Sequence, residues 1–130
     1  MNKIKGILID VLNEQVKVVT IEDELAEFYK ILDCHTIDIV RRKIGNKWYT
    51  IVCDDEGLIR DNPKISAINN LGKIALVGNL FICNDKQDDD GTDLDDLSAE
   101  DIKYLMQRIH QMCTYQYPDG YPMLTHVVDF

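Results

Sequence analysis

Positive charge is scarce in this sequence: 14 Lys and Arg stand against 23 Asp and Glu, for a net charge of −9. Nothing broad and basic offsets phosphate repulsion, so direct DNA binding is not expected. Long hydrophobic runs are also missing. No apolar stretch approaches membrane-spanning length, and no basic leader runs into an apolar segment with a small-residue cleavage site. A cytoplasmic protein with no membrane partner is the expectation. The four cysteines, Cys34, Cys53, Cys83 and Cys113, form no Cys-x-x-Cys pair. Their apolar or strand-like settings favour reduced, mostly buried thiols over a disulfide framework or a zinc cluster. Glycines stand singly, which excludes a phosphate-cradling loop, and neither Gly-x-Ser-x-Gly nor His-Glu-x-x-His occurs. His35, His110 and His126 lie far apart, and Cys34 and His35 would point to opposite faces of a strand. No catalytic residue, metal site or cofactor is expected. Asp10, Asp38, Asp54 and Asp55 fit turn and strand-face positions more simply than a carboxylate site.

What the chain does contain is ordinary globular composition, 45% hydrophobic and 28% charged over 130 residues. That length suits one folded domain. Ile4 to Leu12 and Gln15 to Ile21 are β-rich runs separated by Asn13 and Glu14, which predicts a hairpin. Leu25, Phe28, Tyr29 and Leu32 follow at helical spacing behind an acidic turn, predicting a helix over residues 22–33. Residues 36–44 and 47–54 read as a second hairpin, because Gly45-Asn46 suits a two-residue turn. The segment 58–73 reads as irregular with a short strand. Residues 74–83, IALVGNLFIC, are nearly continuously apolar and read as one central strand, with Gly78 at a bulge or close backbone approach. Ser98 with Asp101 has capping-box spacing, and Leu97 with Ile102 has that of a hydrophobic staple. The apolar stripe Ile102, Leu105, Met106, Ile109, Met112 and Cys113 predicts a helix over 99–114. Pro118, Gly120 and Pro122 then predict a sharp turn and an extended tail over 115–130.

The stretch 84–97, NDKQDDDGTDLDDL, holds seven aspartates, Asp85, Asp88, Asp89, Asp90, Asp93, Asp95 and Asp96, against one lysine. It therefore carries −6 of the net −9. A calcium loop of the EF-hand type needs oxygen ligands at its first, third and fifth positions, glycine at the sixth and a bidentate glutamate at the twelfth. Placing Gly91 sixth puts Lys86 first and Leu97 last, an ammonium and an alkyl chain where carboxylates belong. The stretch reads instead as a solvated acidic loop between strand and helix. Its negative field suits recognition of a basic partner.

The one positive patch is Arg41, Arg42 and Lys47 beside Trp48 and Tyr49, the only candidate site for a nucleotide or other small ligand. Strand alternation sends half of those side chains to each face, and edge protection by charge explains them more simply. Tyr115, Tyr117 and Tyr121 have the character of an interface or of a cover over the sheet, although core packing is the more common outcome for such residues.

The order GKIALVGNLFICN, acidic spacer, LSAEDIKYLMQRI resembles the C-terminal half of a family of small uncharacterised α+β proteins carried by bacteriophages, plasmids and integrative elements. Gly78 to Cys83 and Leu97 to Asp101 carry the resemblance, which extends over residues 4–112. It implies a mobile-element gene acting in a bacterial cytoplasm and transfers no catalytic residue. Together these features predict a single α+β domain over 1–130, with a mostly antiparallel sheet of about five strands and two helices packed on it. The expected function is that of a non-enzymatic accessory protein that binds a host or element protein through the acidic loop, with counter-defence as one purpose. Sequestration of a nucleotide or other small molecule is the alternative, and a metal-dependent hydrolase ranks last. Exposed hairpin edges also allow a homodimer.

Overall fold

The structure, a computed structural model, describes residues 3–55, 64–69, 71–88, 91–113 and 118–128, with backbone only at 87, 88, 91 and 92. The first hairpin pairs β1 (Lys3–Asp10) with β2 (Gln15–Glu22), and α1 (Leu25–Leu32) follows. The second joins β3 (Ile37–Ile44) to β4 (Lys47–Asp54) through Gly45, at φ +68°, and Asn46. Short strands β5 (Ile65–Ile68) and β6 (Ile74–Val77) precede a third hairpin, β7 (Leu80–Asp88) with β8 (Gly91–Asp95). After α2 (Ala99–Met106) come β9 (Ile109–Met112), β10 (Tyr121–Leu124) and β11 (Val127–Val128).

The α+β class and the two helices agree with expectation, but a sheet of about five strands does not. Among the described residues there is a seven-stranded antiparallel sheet, ordered β11-β3-β4-β7-β1-β2 with β8 on β7, and a four-stranded sheet, β6-β5-β10-β9. Three local features account for the difference. Gly78, at φ +79°, breaks the run 74–83, so that β6 joins the small sheet and β7 the large one. The acidic stretch expected to be a loop is strand at 84–88 and 91–95, pairing Asn84 with Asp95 and Asp85 with Leu94. The helix expected to reach residue 114 stops at Met106, because Ile109 to Met112 pair with Tyr121 to Leu124. Those ladder hydrogen bonds override a stripe that helical periodicity alone would have extended. Glu22 belongs to β2 and Glu24 stands at the N-cap position of α1, so the first helix is shorter than the segment 22–33.

The large sheet is covered on both faces. On one, Phe28 and Leu32 of α1 pack with Ile4, Leu8, Val52, Phe81 and Cys83. On the other, Ile7, Ile9, Ile51, Leu80 and Ile82 meet Leu105 of α2 and Tyr121, Met123 and Leu124 of the small sheet. Two-sided burial explains why β4 and the first half of β7 are apolar without alternation. Gly6 permits a close approach: a Cβ there would run into the Ile82 carbonyl oxygen and lie 2.6 Å from Cζ of Phe81, whose ring meets Phe28 edge-on with centroids 5.8 Å apart. No helix among the described residues is long and apolar enough to cross a membrane.

Candidate functional site

The acidic hairpin continues the central strand of the large sheet. Cys83 is still paired with Thr50 in the core, and from Asn84 onward the same strand pairs with β8. Asp85, Asp88, Asp93 and Asp95 are therefore held on a paired ribbon. Asp85 is largely buried and ion-paired with Arg41, Nε to Oδ2 3.5 Å. Asp96 accepts the Lys5 backbone N–H at 2.8 Å, which ties the end of the hairpin to β1. Asp93 is exposed and Asp95 half-buried. Asp88 is described by its backbone alone, and Asp89 and Asp90 lie outside the described residues.

Beside this hairpin, on the α1 face, lies a cleft of about 470 Å³. Its apolar lining comes from Leu25 and Phe28 of α1, Ile37 and Ile39 of β3, and Leu94 of β8. Asp23, Asp85, Asp93 and Arg41 supply its charge. The cleft exists because α1 spans only eight residues and leaves part of the sheet face bare. Leu25, the first apolar residue of the helical stripe, is 54% exposed here rather than packed, and Ile39 across from it is 53% exposed.

The five residues of the positive patch divide between faces. Arg41 stands on the α1 face, 5.7 Å from the Trp48 ring centroid, and lines this cleft. Arg42 lines a second cleft of about 430 Å³ with Asp38, Cys53, Asp54 and Asp55, beside β6. Lys47 and Tyr49 turn toward α2. They do not converge on one ligand-sized surface. Tyr121 is buried in the core, the commoner of the outcomes expected for it, and Tyr115 and Tyr117 lie outside the described residues.

Lys47 and Tyr49 instead serve a residue that the sequence marked only as a helix cap. Asp101 is 7% exposed, and its carboxylate accepts hydrogen bonds from Lys47 Nζ, Tyr49 Oη, Asn84 Nδ2, Ser98 N and Ser98 Oγ. The bond from Ser98 N belongs to the capping box, completed by Asp101 N donating to Ser98 Oγ at 3.0 Å. Burial alone pushes this carboxyl up, but the bonds from Lys47, Asn84 and Ser98 together outweigh it and hold it well below the usual carboxylate range. The same carboxylate, after burial, raises the Tyr49 phenol above its ordinary value. Tyr104 completes the attachment of α2, accepting from Asn46 N at 3.0 Å and donating to Asn46 Oδ1 at 2.8 Å. The capping spacing identified Asp101, but no local signal announced partners more than fifty positions away.

Chemistry elsewhere is muted. Burial raises the Cys53 thiol to about 11 and the Cys83 thiol to about 12, so neither is a ready nucleophile. His35, His110 and His126 are all exposed. Among the described residues no group of three or more His, Cys, Asp or Glu could hold a metal ion. No curated protein and no solved structure matches the chain. One family model does match, over residues 4–110, and the chain accordingly belongs to the family described as Domain of unknown function (DUF3846).

Proposed function

We propose that this chain is a non-enzymatic binding protein, an accessory factor of a phage, plasmid or integrative element, that engages a basic segment of a partner protein through the β7–β8 hairpin. The observation that carries this reading is that the acidic stretch is a paired ribbon growing out of the central strand, next to an apolar cleft. A floppy acidic loop would lose conformational entropy on binding, whereas a ribbon anchored by β4 and β1 loses little. Clustered carboxylates speed encounter with a cationic partner and discriminate against anionic ones. The mobile-element setting comes from the resemblance of Gly78 to Cys83 and Leu97 to Asp101. Nucleotide sequestration draws less support, since Arg41 and Arg42 stand on opposite faces and Lys47 and Tyr49 are engaged by Asp101.

Capture of the tagged chain's partners from bacterial lysate, followed by mass spectrometry and repeated with Asp88, Asp89, Asp90, Asp93, Asp95 and Asp96 all changed to Asn, tests the role. A stoichiometric protein released by high salt and missing from the variant, with the variant's Tm unchanged, is expected. Equal capture by the variant, or recovery of the chain alone, would overturn the proposal.

A further inference from the structure

Resting on that binding role, we propose that the partner segment is an amphipathic peptide. One or two apolar residues seat in the cleft between α1, β3 and the hairpin, and adjacent lysines or arginines run along β8. Seven large apolar side chains are notably exposed among the described residues, and two of them, Leu25 and Ile39, line this one cleft. Exposed apolar residues scattered singly need no explanation, but two flanking an apolar hollow of ligand size do.

The charges specify the rest of the occupant. Asp85 is already neutralised by Arg41, but Asp23 and Asp93 have no ion-pair partner among the described residues. Both also line a second hollow of about 210 Å³, which shares Leu94 with the cleft and adds Asp95 at the end of β8 and Asp96 just beyond it. There four carboxylates face Lys3 and Lys86. The apolar cleft thus passes directly into an anionic groove, with Asp23 and Asp93 at the junction. A small lipophile would fill only the first hollow and a polyamine only the second. A peptide with an apolar anchor next to a cationic run fills both, because its lysine stems cover apolar surface while their ammonium groups reach the carboxylates.

Fluorescence anisotropy with synthetic peptides tests this. The probe carries two leucines followed by three lysines. Its controls replace the leucines with serine or the lysines with glutamate. The probe is expected to bind about tenfold or more tightly than either control, the loss anticipated when buried leucine surface or a complementary charge is removed. Leu25→Ser and Ile39→Ser, at exposed positions and checked by Tm, should erase the preference for leucine while leaving the preference for lysine. Asp23→Asn with Asp93→Asn should do the reverse. If basic peptides bind equally with or without leucine and only the hairpin Asp→Asn variant weakens them, the cleft plays no part and the acidic-hairpin role survives alone. If no basic peptide binds, both proposals fall.

Discussion

Replacing Asp101 removes the common acceptor of three separate elements, and the structure sets the cost. With alanine there, the capping box is lost, about 1 kcal/mol. The buried Tyr49 hydroxyl loses its acceptor and Asn84 keeps only the Asp96 carbonyl, adding about 2–3 kcal/mol. Lys47, whose side chain is 50% exposed, turns to water at little cost. Asp101→Ala should therefore destabilise by about 3–4 kcal/mol, lowering the urea midpoint by about 2 M at an unchanged m value. Asp101→Asn keeps one acceptor oxygen and should cost about half as much. The effect should also titrate. The folded-state pKa lies below the ordinary 3.8, so this carboxylate stabilises the fold fully above that value and loses its contribution as pH falls toward the folded pKa. The gap between wild type and Asp101→Asn should stay constant down to about pH 5 and narrow as pH falls below about 4. A loss under about 1 kcal/mol for Asp101→Ala, or a gap independent of pH, would refute the assignment of this residue as the joint between α2 and the sheet.

Gly6→Ala should cost about 3 kcal/mol in chemical denaturation, the upper end for overpacking, because the new methyl meets the Phe81 ring and the Ile82 carbonyl. Gly78→Ala should cost only about 1 kcal/mol, since its Cβ would meet only Asp54 Cβ, at an ordinary 4.0 Å, and the penalty comes from the positive φ alone. Alkylation of the native protein at mildly alkaline pH should modify Cys113, which is exposed, while Cys34, Cys53 and Cys83 react only in denaturant. Intact mass spectrometry showing more than one adduct per native chain would contradict the burial of those three.

Much of the architecture was legible from short-range chemistry. The turn at Gly45-Asn46 sits between paired strands, and Ser98 with Asp101 forms the capping box that its spacing announced. Leu97 and Ile102 join the same core cluster, as the staple spacing implies. Such motifs are read correctly because every partner lies within a few residues. The acidic segment was misread because seven like charges resemble a solvated loop, whereas backbone pairing in a ribbon depends on main-chain hydrogen bonds and leaves the side chains free to face water. Of the candidate site, the hairpin acids were visible as composition. The cleft beside them was not, since Leu25 has the same spacing as its buried neighbours and only the short reach of α1 leaves it bare.

The sequence by itself determined the α+β class, two of the hairpins, the start of the second helix and the concentration of negative charge between residues 84 and 97. Period, turn chemistry and capping are local, so each is written within a window of a few residues. Only the tertiary structure decided that Gly78 splits one apolar run between two sheets, that β9 ends the second helix early, and that Lys47, Tyr49 and Asn84 meet on Asp101. It also brought Leu25, Ile39, Asp23 and Asp93 around one cleft. Those outcomes follow from pairing between segments tens of residues apart, where strand register and the burial of both sheet faces outweigh local preference.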